Sequence, residues 1–186
     1  MLATASSAEG LLEEGRFGVM AHNACIEITT CDNADKEDGV NLSGQLVFAS
    51  PDILRWVFSP RPYLTASVNT AGDTSYAGGG FEWAWRFADR WSLEPGVGYV
   101  LHDGEHLDNP YPASDLRRGP FQESELLLGS RDLFLLSASL TRDITPAWGV
   151  QLRYEHLSHG QIIGEGRNQG LDELGVRLNY RFGARN

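Results

Sequence analysis

The chain has no apolar run long enough to cross a bilayer as a helix: stretches such as Leu126–Leu128 and Leu133–Leu136 fall far short of the ~20 residues that such a span needs. Positive charge is also scarce. Fifteen Lys and Arg stand against 25 Asp and Glu in 186 residues, a net charge of −10. That balance leaves no basic face for a phosphate backbone, so nucleic acid is excluded as a partner. Cysteine occurs only twice, at Cys25 and Cys31, within a polar segment that continues through Asp32, Asn33, Asp35, Lys36, Glu37 and Asp38. A loop disulfide there suits an oxidising compartment such as the periplasm or the cell surface, with two free thiols as the alternative, because pairing is not deducible from sequence. Around Met1–Glu9 a basic and an apolar leader segment are missing, although Ala3, Ala5 and Ala8 supply the small residues of a cleavage region. Residues 1–14 are therefore read as a trimmed leader or unstructured terminus, and residues 15–183 as one β domain.

What the chain does have is glycine, 21 residues of it, and alternation. From Asp172 to Phe182 the even positions read Asp172, Leu174, Val176, Leu178, Tyr180, Phe182, and the odd ones Glu173, Gly175, Arg177, Asn179, Arg181. A period of two over such a length is a strand with one apolar face. The same reading holds for Trp148–Ser158, for Trp91–His102, and for Phe81–Phe87, where Phe81, Trp83, Trp85 and Phe87 oppose Glu82, Ala84 and Arg86. Weaker alternation marks Arg16–Asn23, Val40–Phe48, Tyr63–Thr70 and Leu127–Arg142. Eight strands and no helical pattern of useful length predict an all-β fold, an eight-stranded antiparallel up-and-down barrel. The upper loops are then expected at 24–39, 71–74, 103–126 and 159–171, and the lower turns at 88–90 and 143–147. The lower connection 49–62 is long, and its Ile53, Leu54, Trp56, Val57 and Phe58 predict a short interfacial helix.

Alternation alone does not say which face is outside, since a soluble ligand-binding barrel would turn the apolar face inward. Side-chain size decides. The polar face is interspersed with Gly78, Gly80, Ala84, Gly96, Gly98, Gly149 and Gly175, which suit a narrow lumen, whereas the apolar face is bulky and aromatic and so should meet lipid. Phe87, Trp91, Trp148 and Phe182 fall at one end, as an interfacial girdle requires. Arg153, Glu155, Arg177 and Arg181 then point inward, avoiding the ~2–4 kcal/mol that an arginine costs on the lipid face at mid-bilayer.

The apolar face of Trp148–Ser158 breaks at its upper end, where His156 and Ser158 follow Trp148, Val150, Leu152 and Tyr154 at the same parity. Residues i and i+2 of a strand project together, so the imidazole is placed to act as general base on the hydroxyl. Asp172 opens the last strand at the parity of its lipid-facing residues, and a hairpin closing through 159–171 brings the three groups to one height. That is the constellation of a serine hydrolase: Ser158 as nucleophile, His156 as base and then acid, Asp172 fixing the tautomer. The loop Ser158-His159-Gly160 offers backbone amides to an oxyanion, with Gly160 permitting an unusual backbone. Glu173 is the competing acid, but its parity sends it to the lumen. The alternative is that all three are interfacial polar residues of a non-enzymatic structural or adhesion barrel. No metal-ligand spacing is present.

The sequence Tyr154-Glu155-His156-Leu157-Ser158-His159-Gly160, followed by Asn168-Gln169-Gly170-Leu171-Asp172 and an alternating terminal strand, resembles the lipid A 3-O-deacylases of the PagL type, grouped with acyloxyacyl hydrolase-like outer-membrane proteins. The specific resemblance covers about the last 35 residues. It implies a bacterial outer-membrane barrel that removes the ester-linked 3-O acyl chain of lipid A in lipopolysaccharide, without metal or cofactor. It carries the lipid-facing His, Ser and acid onto His156, Ser158 and Asp172, the acid being one methylene shorter here than the family's Glu. Asn168 matches an asparagine that holds the loop shaping the oxyanion hole, while His159 replaces the family's Asn after the serine. Arg117 and Arg118 in the long third loop are candidates for the lipid A phosphates, solvated loop cations being the alternative. A homodimer is compatible with this reading.

Overall fold

The computed structural model describes residues 10–25, 33, 36–106, 110–164 and 167–184. Nine strand segments run antiparallel: β1 (Leu12–Ala21), β2 (Val40–Phe48), β3 (Arg61–Asn69), β4 (Tyr76–Glu82), β5 (Trp85–Ala88), β6 (Trp91–His102), β7 (Asp132–Asp143), β8 (Trp148–Ser158) and β9 (Leu171–Arg181). Each pairs with its neighbour in the order β4-β3-β2-β1-β9-β8-β7-β6-β5, and the additional β4–β6 pairing closes the barrel. β4 and β5 form one stave, so the barrel has eight. Their interruption at Trp83 and Ala84 lies opposite Glu94 and Pro95 of β6, and register is kept across it, Glu82 pairing with Gly96 and Trp85 with Leu93. A proline has no N–H to give the ladder; its carbonyl still accepts from the Trp83 N–H at 2.9 Å.

The alternation predicted from the sequence places the apolar face outside. Phe17, Leu42, Leu46, Leu64, Val97, Leu152, Val176 and Leu178 are exposed on the exterior, while Arg16, Gln45, Glu82, Glu94, Gln151, Arg153, Glu155, Glu173 and Arg177 are buried in the lumen. At the lower end Trp148 packs on Tyr180 (centroids 4.8 Å apart) and Tyr180 on Phe182 (5.3 Å), and a 3₁₀ helix, Asp52–Val57, presents Ile53, Trp56 and, just after it, Phe58 to the surroundings. The interfacial helix expected there is thus a 3₁₀ turn. Arg86, on the polar face of Phe81–Phe87, is exposed at the lower end, where its guanidinium reaches Asp143 at 3.2 Å.

Two boundaries differ from the expectation. β1 begins at Leu12 and Glu14 is buried in the lumen, so the first strand starts ahead of the expected residue 15; residues 1–9 lie outside the described residues. The seventh strand starts at Asp132, not Leu127. Leu126, Leu127 and Leu128 are all buried, which no alternating strand allows. They fold down into the upper mouth, where Leu126 and Leu128 join Tyr76, Val100, Leu133, Leu135, Leu157 and Leu171 in an apolar plug. The leucine run blurs the sequence pattern because β7 is apolar on both faces here: Leu133 and Leu135 meet the plug, and Leu136 is exposed. Above the plug, loop 103–131 carries the short helix α1 (Arg118–Ser124).

Candidate functional site

At the top of the β8–β9 pair, His156 lies directly opposite Asp172 and Glu155 opposite Glu173. Because successive residues of a strand face opposite ways, the first pair stands on the exterior and the second in the lumen. His156 Nδ1 is 2.7 Å from Asp172 Oδ1, with the imidazole 30% exposed and the carboxylate 14% exposed. A donor–carboxylate contact of that length is a strong, charge-assisted hydrogen bond when the partner is ionised. With Nδ1 carrying the proton, Nε2 is left as the basic nitrogen. Ser158 follows at the same parity, opposite Phe134 on β7. Among the described residues its hydroxyl makes no hydrogen bond to His156 in this resting geometry.

The loop after β8 is tied back onto the site. The His159 backbone N–H donates to Asn168 Oδ1 at 3.2 Å, and Gly160 takes φ +61°. The His159 ring turns inward and is fully buried, its Nδ1 accepting the Gln161 N–H at 3.0 Å. So Asn168 holds the chain immediately after Ser158, and His159 serves as an internal peg. Two further neighbours of the imidazole stand inside the segments 154–160 and 168–172. Tyr154 was read as one more lipid-face residue; its hydroxyl donates to Asp172 Oδ1 at 2.7 Å. Gly170 adopts φ +73°, and a Cβ there would lie 3.1 Å from His156 Cε1. Only the tertiary closure of the hairpin reveals these roles.

Inside, the Glu155–Glu173 pair of like charges is neutralised from several strands. Arg153 Nε donates to Glu155 at 2.5 Å and the Tyr76 hydroxyl to Glu173 at 2.9 Å, while Asn41 and Ser67 also donate to Glu173. Just past β1, His22 bridges Glu173 (3.3 Å) and Glu37 (2.7 Å). Burial works against its charged form, but the hydrogen bonds to Glu173 and Glu37 outweigh it and push the His22 pKa up to about 9. Glu173 is thus committed to the lumen, and the parity argument that favoured Asp172 over it on the outer face agrees with the positions.

Of the remaining candidates, Arg117 is held by Asp115 through Nε (3.0 Å) and Nη2 (2.7 Å) and lies over the Tyr111 ring at 4.4 Å. Burial hardly matters for this exposed pair; its hydrogen bonds lower the Asp115 pKa. Arg118 donates to the Tyr111 carbonyl at 2.6 Å. Cys25 is disulfide-bonded, and Cys31 lies outside the described residues. Among the described residues no cluster of three or more His, Cys, Asp or Glu is placed to hold a metal ion.

The architecture defines a class: a closed eight-stave barrel with an apolar exterior, carrying an imidazole–carboxylate pair on the outside near one rim. Comparison with known proteins gives the family. The lipid A 3-O-deacylase (PagL) family model matches residues 33–181, most of the chain, and the protein belongs to that family. The fold agrees with the crystal structure of the outer membrane enzyme PagL at a TM-score of 0.61 and 13% identity, covering 90% of this chain and 98% of that one. Neisserial surface protein A (NspA) is similar in fold at a TM-score of 0.56 and 11% identity, covering 95% of this chain and 100% of that one. No curated protein sequence matches the chain. Family membership and the apolar exterior together place the protein in the bacterial outer membrane, and the family is one of lipid A deacylases, hydrolases whose substrate lies in that membrane. A homodimer gains no support from the family or the fold.

Proposed function

We propose that this protein is a serine esterase that removes the ester-linked 3-O acyl chain of lipid A, with Ser158 as nucleophile, His156 as general base and acid, and Asp172 as the triad acid on the lipid-facing surface. The observation that carries the reading is the 2.7 Å contact between His156 Nδ1 and Asp172 Oδ1 on a predominantly apolar exterior. Burying an ion pair costs free energy unless it is well hydrogen-bonded, so a membrane barrel has reason to keep such a pair on its outer wall only for chemistry or for headgroup contact, and the serine two residues on favours chemistry.

In this scheme His156 Nε2 takes the Ser158 proton as Oγ attacks the acyl carbonyl. Resting nucleophile–base contacts are commonly loose and tighten when substrate binds. The negative oxygen of the tetrahedral intermediate is met by backbone amide at Gly160, in the turn that Asn168 fixes. The imidazolium then protonates the sugar oxygen as the C–O ester bond breaks, leaving an acyl-Ser158 ester. Water, deprotonated by His156, hydrolyses that ester and releases the fatty acid. The scheme calls on no metal or cofactor. The outer-leaflet substrate would reach the site by lateral diffusion, Leu136 and Phe134 flanking His156 and Ser158 on β7.

The test is mass spectrometry of lipid A after incubation with the detergent-folded protein and with Ser158→Ala. Loss of one hydroxyacyl chain with the wild type alone is the expected result. Intact lipid A with both folded proteins would instead support a structural or adhesion barrel.

A further inference from the structure

We infer that Tyr154 is a positioning residue for the triad acid: its phenol anchors Asp172 so that the carboxylate stays ionised and presents a fixed acceptor to His156. The inference rests on the deacylase reading above and extends it by one residue. Three outward-facing groups climb β8 in single file, Tyr154, His156 and Ser158, and Asp172 stands across from the middle one on β9. Tyr154 is itself paired with Leu174 and so lies diagonal to Asp172, a separation that aromatic side chains span. It does so here, and both donors converge on one oxygen: the Tyr154 hydroxyl and His156 Nδ1 are each 2.7 Å from Asp172 Oδ1.

Convergence on one oxygen has two consequences. The carboxylate is 14% exposed on a wall of Leu136, Leu152, Leu174 and Val176, where a hydrogen bond is worth more than in water. A phenol proton directed at Oδ1 stabilises the anion and makes the acid a weaker base, so the proton taken from serine stays on the imidazole. The same hydrogen bond removes rotational freedom from a short side chain. Asp reaches less far than Glu, and an acid held at its single reactive oxygen keeps Nδ1–H engaged and Nε2 aimed at the serine side. Tyr154 touches no reacting atom in this scheme; it acts through Asp172.

The experiment compares full-length wild type, Tyr154→Phe and Ser158→Ala, folded in detergent, by lipid A turnover across pH and by nitrogen-15 NMR titration of His156. Phe keeps the ring and loses only the hydroxyl, so the barrel should fold. The expected result is a kcat about tenfold lower with KM unchanged, as for loss of one hydrogen bond to a charged group, and an acid limb of the pH profile moved to higher pH, because a more basic carboxylate raises the imidazolium pKa. A merely structural role would move neither the limb nor the titration. Identical His156 titrations in wild type and Tyr154→Phe would overturn the inference whatever the activity. A shifted titration beside lipid A left intact by the wild type would uphold the hold on Asp172 and sink the deacylase reading instead.

Discussion

Glu155–Glu173 and His156–Asp172 are consecutive rungs of the same two strands, yet they live in opposite worlds. The inner rung is fully buried and tied by Arg153, Tyr76, His22, Asn41 and Ser67. Its neighbours come from β2, β3, β4 and β8 and from His22 just past β1, so it belongs to the ion network that fills the lumen and holds the staves together. The outer rung is part-exposed, and Tyr154 and His156 meet on one oxygen of Asp172. Similar chemical groups thus serve stability on one face and are available for chemistry on the other. What separates them is the direction of a Cβ, one residue along the chain.

The sharpest way to break that comparison is to neutralise one acid on each face. Asp172→Asn should lower kcat by about 10⁴, as expected when a triad base is held in the wrong tautomer, whereas Glu173→Gln should leave turnover intact and cost stability; the reverse pattern in paired lipid A and urea-unfolding assays would undo the assignment by face. Next in size, Arg153→Met should destabilise the barrel by about 3–5 kcal/mol, the usual result of removing one partner of a buried pair, with an urea midpoint that falls while His156-dependent chemistry survives in the folded fraction.

A smaller effect follows from His22, whose folded pKa of about 9 exceeds its ordinary 6.5. A raised histidine contributes its full stability below about pH 6.5 and loses it as pH climbs through about 9. His22→Gln should therefore destabilise the barrel more at pH 6 than at pH 10, as read by urea unfolding at the two pH values; equal losses would remove His22 from the ionic network. The smallest effect belongs to the loop. Arg117 is exposed and already engaged by Asp115, so if it contacts a substrate phosphate, Arg117→Ala should raise KM only about twofold at moderate salt and leave kcat unchanged.

Much of this was legible in the sequence because a strand writes its two faces in alternate letters. Trp148–Ser158 and Trp91–His102 need no tertiary information, and bulky residues opposite glycines suffice to turn the apolar face outward. The polar interruption at His156 and Ser158 is visible for the same reason. The pattern fails where one face does not stay in one environment. Leu127 and Leu128 read as the start of β7 because hydrophobicity cannot tell a plug from a strand. Nor does a cadence of two state which partner a side chain finds across a hairpin. Sequence alone determined the staves and the parity of the catalytic candidates, since both are local properties of an alternating backbone. The closure of 159–170, which brings Tyr154 and His156 to one oxygen of Asp172 and seats Gly170 against the imidazole, was decided by the tertiary structure, because those contacts depend on inter-strand register and a loop path that no local period encodes.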